Sequence, residues 1–252
     1  MGGAMLAGWL TAGLDPARFT VVDPVLAEAP AGVRLLRAVP AERFEIVLLG
    51  IKPQSLPEVA PALAPATRGA VVLSILAGAE LATLAAAFPE AAGLVRVMPN
   101  LAAAIGKSPL GLFAQGLDEA GKAKVDALLA PLGTAEWLAA EDQLDAVTAL
   151  AGSGPAFVYR FIAALADGGT ALGLDPAQAD RLARAMVEGA AALAARSTET
   201  PAELARRVTS PGGTTAAGLA VIDADGAFAA LVAETLKAAR DRGAELAAAA
   251  RG

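Results

Sequence analysis

Three short, largely apolar runs restrict this chain more than anything else in it. Residues 46–51 (Ile-Val-Leu-Leu-Gly-Ile), 70–75 (Ala-Val-Val-Leu-Ser-Ile) and 93–98 (Gly-Leu-Val-Arg-Val-Met) are each the length of a strand. None shows the apolar–polar alternation of a sheet with one wet face, so each belongs in a parallel sheet covered on both sides. Stretches near 55–64 and 79–87 between them read as helices. Strand, helix, strand at this pace predicts right-handed βαβ units and a doubly wound sheet. Phe19 to Val22 adds a short β-type run ending at Asp23-Pro24, and a helical face at Ala4, Met5, Leu6, Trp9 and Leu10 precedes it, closed by Gly13.

In such a sheet, ligands sit beyond the carboxyl ends of the strands. Those ends are Asp23, Ile51-Lys52-Pro53, Leu76-Ala77-Gly78 and Pro99-Asn100. Asp23 follows Gly2 at the spacing of roughly 20 residues that separates a phosphate-loop glycine from the acid that accepts from an adenosine ribose. A plain turn initiator before Pro24 explains the same aspartate. The chain opens at Met1-Gly2, which reads as the last x-G of a dinucleotide fingerprint. The strand that normally carries the earlier glycines is therefore expected to be missing, through an upstream start or a truncated form.

After residue 100 the pattern changes. Leu110 to Ala114 and Thr134 to Leu138 predict two further strands around a helix from Asp118 to Leu129. From about Glu141 the chain is almost wholly helical. Helices are expected from Gly154-Pro155, from Asp175-Pro176 to about Ala195, from Pro201 to Val208, and in two pieces between Ala216 and Ala250, interrupted near Asp225-Gly226. The domains expected are therefore 1–142, dinucleotide-binding, and 143–252, helical. Apolar residues recur around much of each helix, which predicts burial against a second subunit as well as within one chain.

Residues 209–215, Thr-Ser-Pro-Gly-Gly-Thr-Thr, stand apart within that helical half. Proline and two glycines break structure, and a helix start is expected straight after them. Its unpaired N–H groups and the hydroxyls of Ser210, Thr214 and Thr215 make a nest for a carboxylate or phosphate. An ordinary capped turn is the plainer alternative.

Composition narrows the chemistry. The chain has no cysteine and no histidine, so disulfides, thiol catalysis and thiolate metal sites are excluded, and no metal site is expected. Any proton must move through a hydroxyl, a carboxylate, a lysine, water or the substrate. Net charge is −6 without a basic cluster, against nucleic acid as a partner. The profile, 56% hydrophobic and 18% charged, is that of a helix-rich soluble protein. The apolar start lacks the basic flank of a signal peptide, and no window reaches roughly 18 uninterrupted apolar residues. A cytoplasmic location without membrane attachment is expected.

Residues 144–157 (Leu-Asp-Ala-Val-Thr-Ala-Leu-Ala-Gly-Ser-Gly-Pro-Ala-Phe), 164–169 (Ala-Leu-Ala-Asp-Gly-Gly) and 208–215 closely resemble pyrroline-5-carboxylate reductases. Gly50-Ile51-Lys52-Pro53 and Val97-Met98-Pro99-Asn100 do so as well, and together these segments span nearly the whole chain in order. The resemblance implies NAD(P)H-dependent reduction of the cyclic imine pyrroline-5-carboxylate to proline, the last step of proline synthesis. It implies a Rossmann-like domain followed by an all-α domain that interlocks with a partner in a homodimer, often assembled further into decamers. Carried over by position, Ser210, Gly213, Thr214 and Thr215 would bind the substrate, with Thr215 near the ring nitrogen as the catalytic residue. Gly2, Asp23, Ile51, Lys52, Ala77, Gly78 and Asn100 would line the cofactor. The family's Met-Pro-Asn-Thr-Pro reads Met98-Pro99-Asn100-Leu101-Ala102 here, one hydroxyl and one rigid turn fewer. A two-domain reductase of β-hydroxy acids is disfavoured, because residues 148–155 hold no lysine. The alternative of another class is a non-catalytic paralogue that has lost cofactor binding.

Overall fold

The computed structural model describes residues 1–249, with side chains described to Glu245. Its contacts divide it into two compact units. The first is Met1–Gly152 together with the last part of the C-terminal helix from Ala239 on; the second is Ser153–Ala238. The expected domain boundary at 142 lies short of that division, and the last residues of the expected helical half, including Ala250, fall outside the described residues.

The first unit opens with α1 (Gly2–Thr11), which ends as Gly13 turns the chain at φ 87°. Strands β1 (Thr20–Val22) and β2 (Arg34–Leu36) form a parallel pair. A second sheet runs in order through β3 (Ile46–Leu49), β4 (Val71–Ser74), β5 (Gly93–Met98), β6 (Ser108–Gln115) and β7 (Gly133–Trp137). Helices α2 (Leu56–Thr67), α3 (Leu81–Ala87) and α4 (Glu119–Leu129) lie between strands. Thus the single sheet lacking a first strand, as expected from the sequence, is two sheets, and among the described residues no strand bridges β1 and β3.

Pairing is parallel from β3 to β5 and again between β6 and β7, but β6 runs antiparallel to β5. The 99–107 link holds only a 3₁₀ turn, Leu101–Ile105. A parallel return needs a crossover of about a dozen residues or more. The all-parallel expectation is corrected at that one pairing.

Alternation along the strands builds a core on each face. Leu73, Val95, Val97, Leu110 and Leu112 join Met5 and Trp9 of α1 and Val125 and Leu129 of α4 in one. Leu49, Val72 and Leu94 join Leu56 and Ala60 of α2 and Leu81 and Leu84 of α3 in the other. Helix α5 (Gln143–Val147) stays with this unit because Val147 sits on β6: a Cβ at Gly111 would lie 2.7 Å from its Cγ1. A π-helical turn, Thr148–Gly152, follows.

The second unit is helical: α6 (Gly154–Ala171), α7 (Pro176–Arg196), α8 (Pro201–Arg207), α9 (Thr214–Ile222) and most of α10 (Ala227–Ala249). Gly173, at φ 100°, turns the chain between α6 and α7, and Asp175 caps α7 by accepting from the Gln178 N–H at 3.1 Å. Gly169 lets the two helices approach, since a Cβ there would already touch the Ala179 Cβ at 3.4 Å. The break near Asp225 is present, with Asp225 at φ 53°.

This unit buries little. Helices α6 and α9 have no buried residue, and Leu172, Leu193 and Val221 are 90%, 71% and 77% exposed. An apolar surface this large is the mark of an interface. The helical stretch 143–171 also has the length and mean apolarity of a membrane span, although Asp145, Arg160 and Asp167 interrupt it.

Candidate functional site

The ends of the parallel strands gather most of the expected cofactor residues. Gly2 is the first residue of α1; its Cα lies 4.0 Å from where a Gly50 Cβ would stand, so this helix start adjoins the end of β3. A Cβ on Gly2 or Gly3 would meet nothing within 4 Å, and Met1 offers no side-chain cap. The helix therefore presents bare N–H groups over open glycine backbone, a form suited to phosphate. Ile51, just past β3, packs its side chain on the α2–α3 core, while Lys52 is exposed and forms no ion pair among the described residues. Past β4, Ala77 is exposed in a turn and Gly78 sits at φ 75°, a conformation that favours glycine.

Asp23 follows β1, in the separate two-stranded sheet. Its Oδ1 accepts from the N–H groups of Val25 and Leu26, both at 2.9 Å. Those bonds, that of Val25 above all, hold its carboxyl below the usual range, and the charge of Arg37 adds to the effect. The turn-initiator role and an ionised carboxylate thus coexist. Arg37, which the sequence pattern did not single out, donates to the carbonyls of Asp23 at 3.0 Å and of Leu26 and so braces the same turn.

Asn100, past β5, is 7% exposed, and its side chain is committed within the protein. Oδ1 accepts from the Ala102 N–H, and Nδ2 donates to the Ala151 carbonyl in the π-helical turn, each at 2.9 Å. A cofactor at this strand end would meet backbone rather than the amide.

The 209–215 loop lies in the second unit. Gly212 turns it at φ 70°, and the Gly213 N–H donates to the Ser210 carbonyl at 3.0 Å. A Cβ on Gly213 would collide with Ser210 Oγ, so that glycine is the space in which the serine hydroxyl lies. Helix α9 starts at Thr214 without a side-chain cap on Gly213. The first bond into the helix is Ala217 N–H to the Gly213 carbonyl at 3.1 Å. The donors left are thus the N–H groups of Thr214, Thr215 and Ala216 rather than that of Gly213, beside the exposed hydroxyls of Ser210, Thr214 and Thr215.

One buried charge was signalled by the sequence but not used. Arg96 interrupts the third apolar run, and it is 7% exposed with its guanidinium on Glu141 at 2.8 Å. A charge inside an apolar strand requires such a partner.

With this geometry in view, comparison with known proteins is specific. The family described as "Pyrroline-5-carboxylate reductase dimerisation" matches residues 141–246. A pyrroline-5-carboxylate reductase of Pseudomonas aeruginosa is 38% identical over 98% of this chain and 93% of its own length. One of Synechocystis is 41% identical over 80% of this chain and 75% of its own. Among solved structures, a pyrroline-5-carboxylate reductase of Coxiella burnetii superposes with a TM-score of 0.89 at 28% identity, covering 96% of this chain and 93% of that one.

Proposed function

The chain belongs to the pyrroline-5-carboxylate reductase family, and from that premise we propose how its residues divide the reduction of 1-pyrroline-5-carboxylate to L-proline, the last step of proline biosynthesis. Its cofactor is NAD(P)H, which when bound supplies the hydride. In this reading the dinucleotide-binding domain, residues 1–142, holds that cofactor, and residues 143–252 bind substrate and dimerise. The residues past the strands fit a dinucleotide. Open N–H groups at Gly2 and Gly3 suit a pyrophosphate, the Asp23 carboxylate suits ribose hydroxyls, and Ile51, Lys52, Ala77, Gly78 and the Asn100 backbone lie where a nicotinamide half would run.

The observation that carries the substrate assignment is the start of α9. Glycine-opened, uncapped and lined by three hydroxyls, it is a carboxylate site in a chain with no histidine. Ser210, Thr214 and the N–H groups from Thr214 to Ala216 hold the substrate carboxylate. The Thr215 hydroxyl contacts the ring nitrogen. Hydride adds to the imine carbon of the protonated ring, the C=N π pair goes to nitrogen, and secondary amine is left. The protein has only to orient the ring towards the bound cofactor and to support one N–H. No stronger acid is needed, because an iminium is already a good acceptor.

The homo-oligomer covers the exposed apolar surface of the helical unit; its form in this reading is a dimer, assembled further into decamers, in the cytoplasm. Incubating the protein with NADH and pyrroline-5-carboxylate tests the chemistry. Proline should appear in a one-to-one ratio with NADH consumed. NADH oxidation without proline would refute the reaction assigned.

A further inference from the structure

A partly buried ion pair reaches the turn after β4 from outside that element, and we infer that Glu141 and Arg96 are positioning residues for the Ala77–Gly78 loop, an inference that rests on the assignment of that loop to the cofactor. Arg96 stands in the middle of β5, in register between Ser74 and Phe113, with its side chain 8% exposed. It lies on the same face of the strand as Leu94, whose side chain is in the α2–α3 core. A guanidinium taken so far from water needs a hydrogen-bonded counter-charge. Glu141, two residues before α5, supplies it.

The same oxygen has a second task. Glu141 Oε1 accepts from Arg96 Nη1 at 2.8 Å and from the backbone N–H of Leu81 at 2.7 Å. Leu81 is the first residue of α3, and Glu80 at the cap position makes no side-chain capping bond to that helix. The start of α3 is therefore capped from 60 residues away. The turn between β4 and α3 is seated by Leu76 and Ala79, both buried in the α2–α3 core, and Ala77 and Gly78 bridge the gap between them. Leu76 N–H reaches Ser74 Oγ at 3.3 Å and Ala79 N–H reaches the Leu76 carbonyl at 3.3 Å, both long bonds. Ala77 is exposed, so packing does not place it. The path of the turn through Gly78 is thus set mainly by its ends, and the bond to Glu141 helps to fix the one at α3.

These groups line a cleft of about 320 Å³ with Gly78, Glu80, Asp142 and Asp145. Asp142 and Asp145 offer the guanidinium other carboxylates in the same cleft, so loss of Glu141 moves the charge pairing without stranding Arg96. On the Leu81 side the loop would keep the packing of Leu81 in the α2–α3 core and lose this bond to the helix start. The cost then falls on cofactor affinity more than on folding.

The test is calorimetric titration of NADH into Glu141→Ala, Glu141→Gln, Gly78→Ala and the double variant Gly78→Ala/Glu141→Ala, with KM for pyrroline-5-carboxylate and melting temperature measured alongside. Glu141→Ala should raise the Kd for NADH about tenfold. Glu141→Gln keeps an oxygen for the Leu81 N–H and should raise it only about threefold. KM for the imine should stay unchanged in both. Gly78→Ala, strained at its positive φ, should weaken NADH as well, and the double variant should be no worse than the weaker single, since both act on one loop. Glu141 variants that bind NADH like the wild type, while Gly78→Ala does not, overturn the positioning role alone. Multiplicative losses in the double variant overturn it too. If Gly78→Ala leaves the Kd unchanged, the loop does not serve the cofactor, and both the site assignment and this inference fall. Should Glu141→Ala fail to fold, Glu141→Gln decides in its place: a raised Kd supports the positioning role and a wild-type Kd overturns it.

Discussion

At the scale of single residues, the sharpest consequence concerns Asp23. Its carboxyl is held below the ordinary value of 3.8 by the Val25 and Leu26 N–H bonds. What those bonds lend the turn is present above the unfolded value and lost only as pH falls through the lower folded value. The group is therefore ionised across the working range, and in the proposed role it would accept from ribose hydroxyls and repel an added phosphate. NADH should be preferred over NADPH by kcat/KM, from about pH 5 to 8. Asp23→Ser should narrow the preference. Stronger use of NADPH by the wild type would assign the discrimination to Arg37 instead. Asp23 could be picked out in the sequence because spacing from a glycine and a following proline are local signals. Arg37 could not, since its bonds go to carbonyls, which no side-chain pattern encodes. Likewise Gly213 announced a helix start, but its service to the Ser210 hydroxyl is visible only as the atom a Cβ would strike.

At the scale of elements, strands β3, β4 and β5 were legible because residues covered on both faces are almost all apolar, with Ser74 and Arg96 the polar exceptions. Strand β2 was not: it has three residues, its first, Arg34, is exposed, and among the described residues β1 is its only partner. The reversal at β6 is written only in the length of the 99–107 link. The junction between strand β5 and the π-helical turn makes a second prediction. Asn100 Oδ1 and Nδ2 satisfy the Ala102 N–H and the Ala151 carbonyl. Asn100→Ala leaves both unpaired in a buried place and should cost about 1–3 kcal/mol for each group that stays dry. Asn100→Asp keeps the acceptor but sets an oxygen against the Ala151 carbonyl, and should be no milder. Urea unfolding reads both; a change under about 0.5 kcal/mol would show the clip to be solvated.

At the scale of the whole molecule, the helical unit could be anticipated as one half of an assembly, because apolar residues circle its helices with too little chain to cover them. The exposed Leu172, Leu193 and Val221 are that surplus. A stable interface buries about 1,200–2,000 Å² in total. Light scattering at micromolar concentration should find dimers or multiples of them; a stable monomer would contradict the second unit's role. The central claim, that the start of α9 binds the substrate, is tested most directly by steady-state kinetics on Ser210→Ala and Thr215→Ala, with melting curves on the same samples. Loss of one hydroxyl bond to a carboxylate costs about 1.5–3 kcal/mol, roughly 10- to 150-fold. Ser210→Ala should raise KM for pyrroline-5-carboxylate by that factor and leave kcat near the wild type. Thr215→Ala should lower kcat as well, because its contact to nitrogen strengthens as hydride arrives. Near-wild-type kcat and KM in both, with only an earlier melt, would make the loop a structural turn and place the substrate elsewhere.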